Sequence, residues 1–250
     1  MKNCNIITFS NLRGGPGKTT SAILSAHILS ENKTVLCIDC DPQASLSRYY
    51  NIADKKNITL INFLLEGNKK AIRKINDNLH YIASNIELVD MAENEEFIKV
   101  RGKEILLLNA LNKIKTLYDY ILIDCPPALS IITVNALIAS DMVICPVDLD
   151  IDSFTGAEKL IKNIESIRKE PIGFMMQLKS FYILPTKYKS LKKFDRKFLS
   201  RIKNNFTGDV HVLPEIRYCD KIRTEKETNK IVSLNIIRDY KTSLKILSGE

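Results

Sequence analysis

A glycine-rich segment near the amino terminus constrains the fold of this 250-residue chain more than any other feature. Residues 13–20 read RGGPGKTT, between an apolar run at residues 6–9 and a stretch with helical spacing at residues 19–30. Glycines in this position let the backbone close around an anion, and the N–H groups of the following helix then point at it. The segment predicts a phosphate-binding loop between the first strand and the first helix.

Apolar runs and helical segments alternate along the chain, which is typical of a parallel sheet with helices on both faces. Continuous apolar runs favour strands that are buried on both sides. The predicted strands are residues 6–9, 35–38, 80–83, 121–123, 143–147, 173–184 and 210–213. The predicted helices are residues 19–30, 105–117, 131–139, 155–167, 191–204 and 236–247. The stretch 51–101 is irregular and is largely unassigned.

The predicted fold class is therefore α/β, with a doubly wound, mostly parallel sheet. Because no repeat or linker divides the chain, we expect residues 1–250 to form a single domain. The composition, with 45% hydrophobic and 26% charged residues, is that of an ordinary globular protein, and no apolar stretch is long enough to cross a bilayer. The amino terminus lacks a signal sequence, so we expect a cytoplasmic protein with reduced cysteines.

The side chains of the predicted loop suit phosphate chemistry. Lys18 can place a positive charge on the β and γ phosphates of a nucleotide, and the hydroxyl of Thr19 can be a ligand of Mg²⁺. The predicted nucleotide contacts in this loop are Gly14, Gly15, Pro16, Gly17, Lys18, Thr19 and Thr20.

Two further apolar runs end in aspartate, at the edge of the sheet where ligands of this fold class bind. Residues 35–43 read VLCIDCDPQ and place Asp39 and Asp41 after the second strand. These two carboxylates share a face if the strand continues and diverge if it turns before the proline. Residues 118–124 read YDYILID and end in Asp124, whose carboxylate can hold a Mg²⁺-bound water.

Taken together, these motifs resemble those of the deviant Walker A proteins, the ParA/MinD/Soj class of partition and positioning ATPases, whose loop reads KGGxGKTT. The general pattern GxxxxGK[ST] is not met here, because Leu12 stands where its first glycine would be. The resemblance continues through residues 133–137, 145–147 with Gly156, 183–186 and 213–217. It therefore spans nearly the whole chain and implies a P-loop NTPase fold with ATP or ADP and Mg²⁺ as cofactors.

The resemblance also implies residue roles. Asp41 matches the residue that positions or activates the attacking water. The implied catalytic residues are Asp41, Lys18 and Arg13. The implied metal ligands and their neighbours are Thr19, Asp39 and Asp124. The segments expected against the purine ring lie around Thr186 and Pro214.

Arg13 departs from the family pattern, in which a lysine at this position reaches across a nucleotide-sandwich dimer to the partner's phosphates. A planar guanidinium and a compact ammonium are not interchangeable, but an arginine can also stabilise phosphoryl charge in trans. The resemblance implies a homodimer on ATP binding, non-specific DNA binding and a centromere-binding partner protein. A nucleotide-binding protein that hydrolyses little because of Arg13 stays open as an alternative.

The net charge of +8 is concentrated in one segment. Residues 179–203 carry nine basic residues against the single acid Asp195, an excess that equals the net charge of the chain. The apolar face predicted to dock a helix in this segment is Leu191, Phe194, Phe198 and Ile202. The predicted nucleic-acid contacts are Lys189, Lys192, Lys193, Arg196, Lys197, Arg201 and Lys203. We expect salt-sensitive contact with phosphates, independent of base sequence, at the nucleoid; the alternative is a solvated lysine-rich face.

Two other features have competing interpretations. The carboxyl-terminal helix has Ile237, Tyr240, Leu244 and Leu247 on one side. It could lie on a membrane as in MinD-like positioning ATPases, but packing on the domain is favoured, and a membrane partner is not expected. The cysteine pairs are Cys37 with Cys40 and Cys125 with Cys145. Packing is favoured for them over zinc or an iron–sulfur cluster, because the three histidines lack metal-ligand spacing and the cysteines lack flanking glycines.

Overall fold

The computed structural model describes residues 4–50, 58–93, 97, 99–220 and 234–248. Its strands are β1 (Asn5–Phe9), β2 (Val35–Asp39), β3 (Ile72–Lys74), β4 (Leu79–Ile82), β5 (Tyr120–Asp124), β6 (Met142–Asp148), β7 (Ser180–Thr186) and β8 (Val210–Val212). In the described residues they form one sheet in the order β3-β4-β2-β5-β1-β6-β7-β8. Every pairing is parallel except that of β3 with β4. The predicted mostly parallel sheet is confirmed.

Nine α-helices are present in the described residues. They are α1 (Lys18–Leu29), α2 (Ser45–Tyr49), α3 (Leu60–Glu66), α4 (Glu87–Glu93), α5 (Leu106–Asn112), α6 (Ile131–Ala139), α7 (Ile151–Lys169), α8 (Lys193–Asn205) and α9 (Leu234–Ser248). Short 3₁₀ helices occur at Lys69–Ala71, Lys103–Ile105, Lys115–Leu117 and Pro171–Met175. Sequence patterns left the stretch 51–101 largely unassigned. It contains α3, α4, the 3₁₀ helix Lys69–Ala71 and the antiparallel strand β3.

Helices cover both faces of the sheet. Successive residues of a strand point to opposite faces, and in β2 Leu36 and Ile38 join one core while Val35 and Cys37 join the other. The first core also contains side chains of α3, α5, α6, α7 and α8, and the second contains side chains of α1, α2 and α9. This arrangement confirms the doubly wound class. In the part of the chain that is described, no helix has the length and apolarity needed to span a bilayer.

Two predicted elements were wrong in extent. The strand predicted at residues 173–184 begins only at Ser180, because Pro171 stops α7 and starts a 3₁₀ turn in its place. The helix predicted at residues 105–117 is the seven-residue α5 between two 3₁₀ turns. The apolar spacing does not reveal such breaks, because Ile105 and Leu117 continue it into the flanking 3₁₀ turns, although neither side chain is buried there.

The sheet brings the carboxyl ends of three strands to one level. Phe9 of β1 and Asp39 of β2 are both in register with Asp124 of β5. Because the glycine-rich segment follows Phe9 directly, the two carboxylates lie beside it. In parallel α/β sheets ligands bind in this position, outside the carboxyl ends of the strands.

Candidate nucleotide-binding site and basic surface

The glycine-rich loop joins β1 to α1 in the geometry of an anion site. Gly17 is the N-cap residue of α1 and has a φ of 101°, a backbone conformation that favours glycine. No side chain caps this end of the helix, so the N–H groups of its first turn are available to a ligand. The predicted phosphate loop therefore has the backbone that phosphate binding requires.

Lys18 folds back over this loop. Its side chain is only 7% exposed, and its Nζ donates a 2.8 Å hydrogen bond to the carbonyl oxygen of Arg13. Burial lowers the pKa of Lys18, and the nearby carboxylate of Asp124 opposes that shift. The ammonium is thus held inside the loop, with a carboxylate close enough to interact with it.

The next charged group at the site is the carboxylate of Asp124. Its side chain is fully buried, and neither carboxylate oxygen has a well-formed hydrogen bond within the described residues. Burial and the neighbouring Asp39 raise its pKa well above the usual value, while Thr19 and Lys18 lower it. A buried carboxylate in this state is costly unless a cation accompanies it. Carboxylate and hydroxyl oxygens suit Mg²⁺, so Asp124 and Thr19 fit this ion.

Asp39 lies beside Asp124 but is already engaged. Its Oδ2 accepts hydrogen bonds from the backbone N–H and the hydroxyl of Ser47, at 2.9 and 2.7 Å, and its Oδ1 accepts one from the N–H of Asp41 at 3.0 Å. Burial raises its pKa to about 6. Since a carboxylate has about four acceptor positions, Oδ1 can still accept from a metal-bound water. The predicted place of Asp39 beside the Mg²⁺ shell stays a prediction.

The two aspartates of the DxDPQ motif diverge. Strand β2 ends at Asp39, and the chain turns so that Asp41 is half-exposed while Asp39 is fully buried. The turn is held by the N–H of Gln43, which donates to Asp41 Oδ1 at 2.9 Å, and by a left-handed residue at Ala44. Of the two outcomes considered, the early turn is the one observed. It leaves the Asp41 carboxylate accessible at the rim of the site, as a water-positioning residue would need to be.

Arg13 is paired within its own chain. Its guanidinium lies 3.3 Å from the carboxylate of Asp152, and both side chains are more than half exposed. The Arg13 N–H donates to Asn11 Oδ1, and the amide of Asn11 donates to the carbonyl of Pro146 at 2.8 Å. These contacts join the start of the loop to β6 and α7. Sequence analysis did not identify Asp152 because no motif marks it.

Gly156 permits that close approach. A Cβ at this position would lie 2.3 Å from Asn11 Oδ1 and 3.2 Å from the Cβ of Arg13. Only glycine lets α7 pack this tightly on the segment that leads into the phosphate loop. The sequence resemblance included Gly156, and the contact with Asn11 is the physical reason for a glycine there.

A cavity of about 420 Å³ opens beside the loop. Its lining includes Pro16, Thr186, Tyr240 and residues 216–220. The Thr186 hydroxyl donates to the carbonyl of Pro16 at 2.8 Å. Thr186 therefore lines this cavity, and its contact with a purine ring stays a prediction, whereas Pro214 precedes the lining segment and is not part of it. The contact of Pro214 with the ring stays a prediction.

Lys187 forms a second link to the loop that sequence analysis missed. It has a φ of 57°, unusual for a lysine, and its Nζ donates to the carbonyl of Gly15 at 2.9 Å and to the carboxylate of Asp148. Thr186 and Lys187 thus hold two consecutive carbonyls of the loop. Asp148, the last residue of β6, binds the lysine that makes the second of these contacts.

Helix α8, in the basic segment, is buried through a different face from the one predicted. Helix α8 buries Phe198, Leu199 and Ile202, but Leu191 and Phe194 are 95% and 61% exposed. The predicted docking face was therefore wrong at its first two positions. The helix begins only at Lys193, so Leu191 precedes it, and the buried face is shifted by the inclusion of Leu199.

The charges of this segment divide into two groups. Asp195 is buried and accepts a hydrogen bond from the N–H of Lys189 at 2.9 Å, so the one acid does not neutralise the surface. Lys203 lies 3.6 Å from Glu215, and Lys189 lies 3.6 Å above the Tyr218 ring. Among the described residues, no ion pair with an acid is found for Lys192, Lys193, Arg196 or Lys197, all of them exposed. We call these four residues the basic surface.

The remaining sequence features are part of the core. Cys37, Cys40, Cys125 and Cys145 are fully buried, and burial raises the pKa of each thiol. Helix α9 buries Ile236, Tyr240 and Leu244, and the first two belong to the core that also contains side chains of α1. The Tyr240 and Ser21 hydroxyls are hydrogen-bonded at 2.9 Å. The apolar side of this helix is thus used within the protein.

Comparisons of sequence and of structure with known proteins point to the same group of proteins. A family model described as an AAA domain matches residues 4–179. The chromosome partitioning protein ParA of Myxococcus xanthus is 31% identical over 209 residues, 82% of this chain and 72% of that protein. The sporulation initiation inhibitor protein Soj of Bacillus subtilis is 33% identical over 169 residues, 66% of each. A plasmid partition protein of Borrelia burgdorferi, bound to AMPPNP, has a TM-score of 0.83 at 25% identity and covers 99% of both chains.

A doubly wound sheet with a glycine-rich loop after its central strand, and carboxylates at the ends of two neighbouring strands, defines a P-loop nucleotide-binding protein. Leu12, in place of the first glycine of the general motif, and the matches to the family model and to ParA narrow the class of P-loop protein further. The chain belongs to the ParA/MinD/Soj type of P-loop ATPases. The family resemblance read from the motifs is confirmed.

Proposed function

We propose that this protein is a partition ATPase, an ATP-dependent switch that dimerises with nucleotide, binds DNA without sequence preference and releases it after hydrolysis. The observation that carries the proposal is the orphaned carboxylate of Asp124, buried beside Lys18 and Thr19 at the start of α1. A magnesium–triphosphate complex matches both the cationic loop and the unpaired carboxylate. The AMPPNP bound by the Borrelia relative supports the same class of ligand.

The residues divide the work of binding and hydrolysis. Residues 14–20 surround the phosphates, with the Lys18 ammonium on the β and γ oxygens. Thr19 and Asp124 would hold Mg²⁺, and the ion would neutralise phosphate charge. Asp41 orients the attacking water from the rim of the site. In the dimer, Arg13 leaves Asp152 and stabilises the developing charge on the partner's γ phosphate.

The DNA contact lies on the basic surface, and the protein acts in the cytoplasm at the nucleoid with a centromere-binding partner protein. Exposed cations with no acidic partner among the described residues support the DNA contact, because they can replace the counterions of a phosphate backbone. The membrane alternative has less support, since the apolar side of α9 is already buried in the core that includes α1. We assign the whole of residues 1–250 to one ATPase domain.

DNA binding measured with ATP, with ADP and without nucleotide, at two salt concentrations, tests this function. ATP should raise the affinity, and higher salt should lower it steeply. The variant Lys18→Ala should lose the ATP effect because the loop no longer holds the triphosphate. The control Lys33→Ala removes an exposed lysine beyond the end of α1 and should behave as the native protein. Equal DNA affinity under all three nucleotide conditions would contradict the switch.

A further inference from the structure

Two large apolar side chains interrupt the basic surface. Leu191, in the turn before α8, is 95% exposed, and Phe194, in the first turn of the helix, is 61% exposed. Isolated exposed apolar residues are ordinary, but these two are three residues apart, with Lys192 and Lys193 between them. The apolar stripe of α8 therefore continues out of the core and onto the surface at its amino-terminal end.

The stripe is anchored by the core side of the helix. The Phe194 ring lies 5.7 Å from the Phe198 ring, and Phe198 is buried with Ile202. The preceding turn is held by the buried carboxylate of Asp195, which accepts from the N–H of Lys189. Because both ends of this short segment are fixed, Leu191 and Phe194 are presented by an ordered backbone.

We propose that Leu191 and Phe194 are apolar contacts to DNA, packing on deoxyribose and base edges in the minor groove while the flanking cations bind phosphates. The inference rests on the proposed function and names the part of that surface that is not electrostatic. Charge complementarity selects the occupant: four exposed cations lie within six residues of Leu191 in the chain, and Asp195, the one acid of this stretch, is buried. Proteins that bind the minor groove often combine basic residues with exposed apolar side chains in this way.

Salt dependence separates this contact from the phosphate contacts. Removing an apolar contact releases no counterions, so the double variant Leu191→Ser/Phe194→Ser should bind duplex DNA with ATP about 10-fold more weakly at every salt concentration, with an unchanged salt slope. The controls are Phe174→Ser, which removes a 93% exposed aromatic ring on another element, and Leu117→Ser, which removes a 59% exposed leucine. Both should bind as the native protein.

A direct reporter is available because the chain contains no tryptophan. In the full-length variant Leu191→Trp, the emission should change on addition of duplex DNA with ATP, since the indole enters the contact. In Phe174→Trp, the emission should stay the same under identical conditions. A probe at residue 191 that is insensitive to bound DNA would overturn the proposal.

The outcomes also distinguish the proposal from the function on which it rests. If the native protein binds no DNA with ATP, the partition function itself fails. If the native protein switches normally and the double variant binds DNA as tightly, only the apolar contact is refuted. Vesicles of phosphatidylglycerol and phosphatidylcholine form the second arm. Vesicle binding that the double variant loses, with DNA affinity intact, would assign the two side chains to a lipid surface and overturn the proposal.

Discussion

The nucleotide site and the basic surface are both rich in charge, but they differ in their access to water. At the nucleotide site Lys18, Asp39 and Asp124 are buried. Burial lowers the pKa of Lys18 and raises the pKa of each aspartate, so it favours the neutral form of all three. On the basic surface the cations are exposed and solvated. Buried charges depend on one ligand of defined geometry, whereas exposed charges act almost independently and are screened by salt. Substitutions should therefore have large, specific effects at the first region and small, additive effects at the second.

The largest expected effect is at Arg13. The variant Arg13→Ala should lower steady-state ATP turnover by about 1000-fold, because an arginine supplied in trans stabilises the transferring phosphoryl group. Arg13→Lys should retain most of the turnover. Asp152→Ala should change stability little, since exposed ion pairs contribute about 1 kcal/mol or less. Unchanged turnover in Arg13→Ala would instead favour the alternative of a nucleotide-binding protein that hydrolyses little.

The next effect is steric. Gly156→Ala places a Cβ 2.3 Å from Asn11 Oδ1, so α7 and the segment before the loop must separate. We expect a loss of about 1–3 kcal/mol in the free energy of unfolding, measured by urea denaturation, together with weaker ATP binding. Gly14→Ala is the control for stability alone, because no atom lies within 4 Å of the added Cβ, although residue 14 belongs to the phosphate loop. Equal stability of the two variants would show that the contact at Gly156 is not tight in solution.

A smaller effect concerns pH. A carboxyl group with a higher pKa in the folded protein than in the unfolded chain binds more protons when folded, so the fold loses stability as the pH rises. The pKa of Asp39 rises from 3.8 to about 6, and burial raises that of Asp124 further above its usual range. Without Mg²⁺, the unfolding temperature should therefore fall as the pH increases from 4 through 6 and above.

The variant Asp124→Asn tests the cause of that fall. Because it removes the orphaned charge, it should unfold a few degrees higher than the native protein at neutral pH without Mg²⁺, by differential scanning calorimetry. Adding MgATP should stabilise the native protein and not the variant. A native protein that is equally stable across this pH range would contradict the buried-charge account of Asp124.

The smallest effects belong to the basic surface. Lys193→Gln or Lys197→Gln should each lower DNA affinity by a factor of a few and reduce the slope of log affinity against log salt by about one. Lys203→Gln and Lys179→Gln are matched controls, because these lysines already lie near the carboxylates of Glu215 and Asp141. Slopes that fall equally in all four variants would mean that the charge of the whole segment matters, rather than its unpaired cations.

Sequence patterns predicted the repeating parts of this fold well. The strands at 35–38 and 121–123 and the helix at 131–139 lie within one residue of those observed, because continuous burial leaves a strong apolar signal. The stretch 51–101 was not predictable, since its helices are short and β3 is a three-residue edge strand. The phosphate-loop residues were predictable from spacing alone, while the partners Asp152 and Lys187 were not, because each contacts the loop from a distant part of the chain.

The types and spacing of residues along the chain were sufficient to indicate the phosphate loop, the aspartates at the strand ends and the family. These features depend on neighbours in the chain, and their spacing is visible without coordinates. Tertiary packing decided the rest. It buried the Asp124 carboxylate with no well-formed hydrogen bond among the described residues, turned Asp195 inward, paired Arg13 with Asp152 and exposed Leu191 and Phe194. Burial and pairing arise where separate elements meet, and no periodicity along one segment specifies what the neighbouring element will cover.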